Sequence, residues 1–578
     1  MSIENANPRS ASGPSRPYAE RLSQLHAVDR SWWIAGALLV AMGVYFARHE
    51  GWFSNVVFTM AVTGLLIAIL ALATQRVLFP TALIAAIVTV VVIAATIKYR
   101  YIGMVLHAYD VAFYLMSPDT LWYLWIDFRT ELIVLMAATV AIIVGAVLLY
   151  RFDPTRVSRP AAGAAIAALL ITSVMADHVR GQRPHTLFYW DALFVSSFYS
   201  SWAETVATLW RGQLIEASAH DGSLRPFAEP VACPVNKRPP HIILIHQESV
   251  VPPSLFPSIK YDSSLDPFFL SGDGKKHLLR TETFGGASWL TEFSVLAGVS
   301  TYSFGGMRTF VQSMMQGKVR DSVPQTLERC GYKNVMFYPV PKHFVSSGKF
   351  YASIGFGEIN DFKAQKAKRY NERDRFYYGN ALDRLERHLA SSSSPLFSFI
   401  LTSATHLPYT TPHSPAVMVP GGGPGSSPEM NEYLRRLSLA RIDLEWFRAE
   451  LKRRFPDQPF LIVQYGDHQP IITRPLLGFD GVESHNIVMS PESKGFLTYY
   501  AAEGINYTPP PLPEVDVLDV PYLGTLMLKL ARLPLSEASE ERLRLMERCH
   551  GRYYTCAHSE EILAFHRRLI DSGLLVAH

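Results

Sequence analysis

Apolar and polar positions are segregated on the scale of whole segments in this chain. No Asp, Glu, Lys or Arg occurs from Ser31 to Ala47, Gly51 to Gln75, Val77 to Ile97, Leu132 to Tyr150, or Pro160 to Ala176. A bilayer core takes ~20 apolar residues in a helix, with a range of ~17 to 25. The pattern therefore predicts five membrane-spanning helices within 31–176. The last is the shortest and richest in small residues, and a buried core helix is its alternative. Between the third and fourth, Tyr101 to Phe128 is aromatic-rich but broken by charges and Pro118. That mixture predicts interfacial helices lying on the membrane surface, or a hydrophobic loop.

Beyond the spans the pattern changes. Residues 177–240 read as a linker region, with Pro and Gly concentrated between His220 and His241 (Gly222, Pro226, Pro230, Pro234, Pro239 and Pro240). From 241 to 578, short apolar runs alternate with helical stretches. Strands are predicted at His241–His246, Asn334–Tyr338, Leu396–Leu401, Phe460–Gln464 and Gly495–Ala501. Helices are predicted at Arg375–Leu389 and Val520–Leu530, and Pro420–Pro428 reads as a surface loop. This alternation is the signature of an α/β domain with a largely parallel sheet.

Composition sharpens the division. Over 578 residues the charged fraction is 18%, below the usual ~25%, while the apolar fraction of 49% is ordinary. Mean hydropathy is +0.10. These values exclude a disordered chain, a disulfide miniprotein and a nucleic-acid-coating basic protein. The net charge of +4 says little about partners. Basic residues do report orientation. Arg9, Arg16, Arg21 and Arg30 precede the first span, Arg76 follows the second, and Arg151, Arg156 and Arg159 follow the fourth. The opposite loops hold Arg48, Lys98, Arg100 and Arg129. The tail 1–30 is thus expected in the cytoplasm, and five spans carry everything after Ala176 across the membrane. The four cysteines (Cys233, Cys330, Cys549, Cys556) all lie in the exported part. An even number there suggests two disulfides among three possible connectivities. Cys549 with Cys556, closing a short loop, is the expected pair, and free buried thiols are the alternative.

Candidate chemistry collects at strand ends, where open α/β sheets bind ligands. The strand from His241 runs into Gln247-Glu248-Ser249, and the strand from Phe460 runs into Tyr465-Gly466-Asp467-His468. Glu248, Asp467 and His468 are oxygen and nitrogen donors suited to a divalent cation, with room for a fourth ligand. Taken singly, they also read as a capping carboxylate and a turn. Between them, Thr283-Phe284-Gly285-Gly286-Ala287-Ser288 opens an apolar helical run, and a hydroxyl beside a dication can ionise and act as a nucleophile. Ser288 is the candidate, with a helix N-cap as the plainer reading. Thr291 is its rival, expected to bond back to its own helix. His406, just past the strand ending at Leu401, can bind a substrate phosphate or protonate a leaving oxygen. His485 is a further candidate.

Five stretches in this order are similar to the alkaline phosphatase/sulfatase superfamily: Ile245 to Ser249, Gly286 to Phe293 with Ser288 and Glu292, Thr405 to Tyr409, Gly466-Asp467-His468, and Ser484-His485-Asn486. The chain resembles the membrane-anchored branch that contains lipoteichoic acid synthase and the bacterial phosphoglycerol and phosphoethanolamine transferases. The resemblance implies a five-helix membrane domain joined to an α/β sulfatase-like extracytoplasmic domain. It implies that Glu248, Ser288, Asp467 and His468 bind one divalent cation, with Mn favoured over Mg or Zn, and that His406 contacts the substrate. The reaction expected is transfer of phosphoglycerol from phosphatidylglycerol to an envelope glycan through Ser288, with His406 or His485 assisting the departing diacylglycerol. The setting implied is a bacterial inner membrane with the catalytic domain in the periplasm. Phosphoethanolamine transfer from phosphatidylethanolamine is the alternative, as is a membrane-anchored phosphodiesterase or sulfatase-like hydrolase. Sulfate-ester cleavage is disfavoured because Ser288-Trp289-Leu290-Thr291-Glu292 lacks the Pro and Arg of the formylglycine motif. Two departures stand out: Ser replaces the synthases' Thr nucleophile, and Val345 and Ser347 occupy the positions of their head-group Trp and Arg. Lys342 or Lys349 is the candidate replacement charge.

Overall fold

The computed structural model describes residues 16–114, 118–181, 192–220, 222, 224–230, 233, 239–344, 347–483, 487 and 489–577. The chain divides into two compact units, one built mainly on the residues up to Ala203 and the other on Glu204–Val482 and Met489–His578.

Among the described residues of the first unit, five helices are long and apolar enough to cross a membrane: Arg30–His49, Phe53–Thr74, Leu78–Arg100, Arg129–Phe152 and Arg159–Gly181. They coincide with the five charge-free runs. Arg129–Phe152 has no buried residue at all. An all-round apolar helix left uncovered by protein is one whose solvent is lipid. The segment after the third helix forms a π-turn at Asp110–Tyr114 and a short helix at Pro118–Asp127. Among the described residues, the stretch read as linker holds the end of the helix Arg159–Gly181 and the amphipathic helix Phe194–Arg211. The Glu50 carboxylate accepts hydrogen bonds from Val195 N (3.0 Å) and Ser196 N (3.1 Å) in its first turn, where the helix dipole favours negative charge.

The second unit is built on one eight-stranded sheet. Its strands are β1 (His241–Gln247), β2 (His277–Arg280), β3 (Lys333–Phe337), β4 (Glu358–Asn360), β5 (Leu396–Leu401), β6 (Phe460–Gly466), β7 (Leu497–Ile505) and β8 (Val517–Asp519). They lie in the order β4-β3-β5-β1-β6-β7-β2-β8. The five strands from β4 to β6 are mutually parallel, whereas β7 runs antiparallel to both β6 and β2. Strands β1, β5 and β6 are buried at every position, which explains their unbroken apolar character.

One face carries a core in which Ile243, Ile245 and Ile462 meet Tyr377 and Leu382 of the helix Asp374–Leu389 and Leu437 and Phe447 of the helix Pro428–Arg454. The pleat turns His246 and Tyr465 toward the other face. Register pairs Gln247 with Gly466, so β1 and β6 end level. A Cβ on Gly466 would stand 2.0 Å from the Val250 carbonyl oxygen, so only glycine lets the loop after β1 pack on the end of β6. Two disulfides tie the unit, Cys233–Cys330 and Cys549–Cys556.

Candidate active site and metal-ligating cluster

The carboxyl ends of β1, β5 and β6 share one edge of the sheet, and the candidate residues follow directly from them. Glu248 leaves β1, Thr402–His406 leaves β5, and Asp467-His468 leaves β6. Ser288 arrives from a separate element. Gly285 and Gly286 have φ of 72° and 156°, and Ala287 has φ of 61°. This left-handed turn starts the helix Ser288–Ala297 abruptly, with Ala287 as its cap and no side-chain capping bond. Ser288 is therefore the first helical residue, not the N-cap, and its hydroxyl is free to point away from the helix.

That hydroxyl lies 3.1 Å from Glu248 Oε2 and 3.3 Å from His468 Nε2. His468 Nε2 in turn lies 3.3 Å from Asp467 Oδ2 and 3.5 Å from Glu248 Oε1. Four side chains from three segments thus bring one donor atom each to a common point. Secondary contacts orient them. Asp467 Oδ1 accepts from Ser249 N and His468 N, both at 2.7 Å. His468 Nδ1 is 2.9 Å from the Gln469 carbonyl, leaving Nε2 turned to the cluster.

His246 joins the group, although its place within β1 gave it the appearance of an ordinary strand residue. Its Nε2 is 3.1 Å from Asp467 Oδ2, and its Nδ1 is 2.8 Å from Tyr465 OH. Its ligating atom also lies within 4.8 Å of those of Glu248 and Asp467. The available signal was the two-residue spacing to Glu248, which puts both on one side of an extended chain.

Electrostatics follow from burial. Burial alone would raise the Asp467 carboxyl, but His468 and His246 beside it hold it below the ordinary range. Burial alone would lower His246, but Asp467, Glu292 and Glu248 raise it. Glu292, one turn along the Ser288 helix, is pushed up to about 7, by burial first and by Asp467 in addition, against the opposing pull of His246. A cluster of two buried carboxylates, two buried imidazoles and a half-buried hydroxyl fits a hard or borderline dication by its donor chemistry.

The other expected residues fall differently. Thr291 is buried, but its hydroxyl donates to the Asp467 carbonyl (2.8 Å) and not to its own helix. His406 is exposed in the loop after β5, with Nδ1 2.7 Å from the Leu407 carbonyl. It is tied to the cluster through its neighbour, since the Thr405 hydroxyl donates to the Glu248 carbonyl. His485 and Val345 lie outside the described residues. Ser347 is buried and donates to Gln312 Oε1 at 2.8 Å, while Lys342 and Lys349 are exposed.

Residues missed by the sequence reading brace this geometry. Asp374 Oδ1 accepts Ala404 N at 3.1 Å and Ser403 N at 3.3 Å. The Arg436 guanidinium, 1% exposed, reaches the carbonyls of His406 (2.7 Å), Pro408 (2.9 Å) and Thr411 (3.1 Å).

A serine hydroxyl at a helix start facing a compact acid and imidazole cluster at the carboxyl edge of a mixed sheet is an arrangement suited to hydrolase or transferase chemistry. Residues 257–494 match the sulfatase family model. That segment includes Ser288, His406, Asp467 and His468. An uncharacterized protein of Haemophilus influenzae is 26% identical over 241 residues, 40% of this chain and 41% of that protein. This chain therefore spans less than half the length of that curated relative. Among solved structures, the phosphoglycerol transferase GacH of Streptococcus pyogenes, in complex with sn-glycerol-1-phosphate, superposes with a TM-score of 0.47 at 16% identity, over 60% of this chain and 89% of its own. The lipooligosaccharide phosphoethanolamine transferase A (EptA) of Neisseria meningitidis, an integral membrane protein, superposes with a TM-score of 0.44 at 12% identity, over 87% of this chain and 96% of its own.

Proposed function

We propose that this protein is a bacterial inner-membrane phosphotransferase whose periplasmic domain moves phosphoglycerol from phosphatidylglycerol to an envelope glycan. The observation that carries the reading is the position of the Ser288 hydroxyl, 3.1 Å from Glu248 and 3.3 Å from His468 at the start of a buried helix. Glu248, Ser288, Asp467 and His468 are the residues that would hold one divalent cation, with Mn2+ favoured and Mg2+ or Zn2+ as the alternatives. A cation there supplies the positive charge that favours the serine alkoxide and offsets charge on the phosphoryl oxygens.

Ser288 Oγ attacks phosphorus, the phosphorus–oxygen bond to diacylglycerol breaks, and phosphoglyceryl-Ser288 remains. His406 or His485 delivers a proton to the departing diacylglycerol oxygen. A glycan hydroxyl then attacks the same phosphorus, its proton passes back to the histidine, and Ser288 Oγ is released. His246 holds Asp467 in place throughout, with both ring nitrogens engaged.

A second reading changes only the donor, to phosphatidylethanolamine. It is favoured by Ser347, whose buried hydroxyl is committed to Gln312 and offers no cation to a glycerophosphate.

The test is release of diacylglycerol from head-group-labelled phosphatidylglycerol or phosphatidylethanolamine, with and without added Mn2+. Label should remain on the wild-type protein until a glycan is supplied, and Ser288→Ala should abolish both labelling and release. Release that persists in Ser288→Ala but is lost in Thr291→Ala would overturn the assignment of the nucleophile.

A further inference from the structure

A groove of the second unit has a volume of about 830 Å3, within the range that accepts a small organic ligand. Two of its walls continue the loops that carry the candidate site. One is Leu407–Thr410, and the other runs from Ile471 to Leu476. Leu407 stands two residues beyond Thr405, whose hydroxyl contacts Glu248. Ile471 stands three residues beyond His468. At no more than ~3.6 Å per residue, Ile471 lies within ~11 Å of His468 and Leu407 within ~7 Å of Thr405. The loop Pro424–Ser427, the start of the helix Pro428–Arg454 and the segment Ser258–Lys260 complete the groove.

The wall is predominantly apolar. Leu407, Met430, Ile471 and Leu476 line it, and Leu407 is 39% exposed. A largely apolar wall beside the candidate site suits an apolar part of a substrate. Lys260 and Arg474 add two cations against the single acid Glu429, so the lining favours an amphiphile with a negatively charged group.

We infer that this groove receives the diacylglycerol part of an anionic glycerophospholipid, with its phosphate end toward Lys260 and Arg474 and the first acyl methylenes on Leu407, Met430, Ile471 and Leu476. The inference rests on the phosphotransferase reading above and names where the leaving group of that reaction is held. It also gives the enzyme a means to distinguish a lipid from a soluble phosphodiester.

The experiment uses full-length protein in detergent micelles with two donors, dioleoyl phosphatidylglycerol and bis(p-nitrophenyl) phosphate. For Met430→Asp and Leu476→Asp, the ratio of kcat/KM for lipid to that for the aryl diester should fall about tenfold, as expected for one or two methylenes losing an apolar wall. Met430→Ala should give a smaller fall in the same direction, which guards against a folding defect. An unchanged ratio overturns the inference, including the case where both rates drop together because the groove serves the glycan acceptor or the fold. Wild-type protein that cleaves the aryl diester but releases no diacylglycerol refutes the lipid-donor reading itself. That outcome is separate from any behaviour of the variants.

Discussion

Arg436 offers a direct test of how the loop bearing His406 is held. Its guanidinium is buried beside Glu432, whose Oε1 accepts from Nε at 2.8 Å. The other nitrogens donate to Ala404, His406, Pro408 and Thr411, four carbonyls of one irregular segment. Those carbonyls have no strand or helix to satisfy them, and an unpaired buried carbonyl costs about 1–3 kcal/mol. Arg436→Met removes all five bonds while keeping most of the side-chain volume. Glu432 retains Arg435, at 2.8 Å, as a partner, so the loss is smaller than for a carboxylate left wholly alone. Breaking a buried pair typically costs about 3–5 kcal/mol, and we expect about 3–4 kcal/mol here. Arg436→Lys keeps the charge but not the planar fork, and should fall between the two. Thermal unfolding of full-length protein in detergent reads the stability. Transfer activity measured well below the transition reads the loop, and it should drop in both variants beyond any loss of folded protein. An Arg436→Met protein with wild-type Tm and wild-type turnover would refute the reasoning, because the loop would then hold its shape without the fork.

Three further outcomes are expected. Cys233–Cys330 spans 97 residues and Cys549–Cys556 spans 7, so chain entropy predicts losses of about 4.7 and about 2.4 kcal/mol on replacing each pair by serine; equal losses in denaturant titrations would count against that account. Gly466→Ala forces a Cβ to within 2.0 Å of the Val250 carbonyl and should weaken cation binding, read as a smaller Mn2+-induced rise in Tm than wild type gives. His566 is buried between Tyr553 OH (2.9 Å) and the Glu216 carbonyl (2.7 Å), and burial lowers its pKa to about 4. Its contribution to stability is therefore complete above the unfolded value of ~6.5 and lost progressively as pH falls from there toward 4, up to about 3 kcal/mol; His566→Gln should flatten that part of the pH–stability curve.

The spans were legible because absence of charge is a property of composition, independent of contacts. Strands β1, β3, β5 and β6 were legible because burial on both faces leaves apolar runs. β2, β4 and β8 were missed, at only three or four residues each. The 27-residue helix Pro428–Arg454 was missed for a different reason. Its inward face includes Glu432, Arg436 and Asp443, so the apolar repeat that announces a helix is interrupted at its most important positions. Glu248, Ser288, Asp467 and His468 were readable as chemistry at strand and helix ends. Asp374 and Arg436 were not, because their partners are backbone groups some 30 residues away, and a backbone carbonyl leaves no mark in a sequence.

The two sides of the sheet make different contributions to the site, and Glu248 is where they meet. From one side, the helices Asp374–Leu389 and Pro428–Arg454 fix the loop of His406 through Asp374 and Arg436. From the other, the helix Ser288–Ala297 delivers the serine and rests on the end of β6 through Thr291. Glu248 touches both. Its backbone N–H donates to Thr402 Oγ1 at 3.3 Å and its carbonyl accepts from Thr405, while its carboxylate accepts from Ser288 and Ser249. A change in the serine helix can therefore reach the His406 loop through one residue, without passing through the hydrophobic core. The separation of backbone and side-chain duties at Glu248 makes this testable, since Glu248→Gln keeps the links to Thr402 and Thr405 and alters only the carboxylate. Cation binding should then be lost while the loop stays in place, whereas loss of Thr405 should disturb the loop with the carboxylate still present.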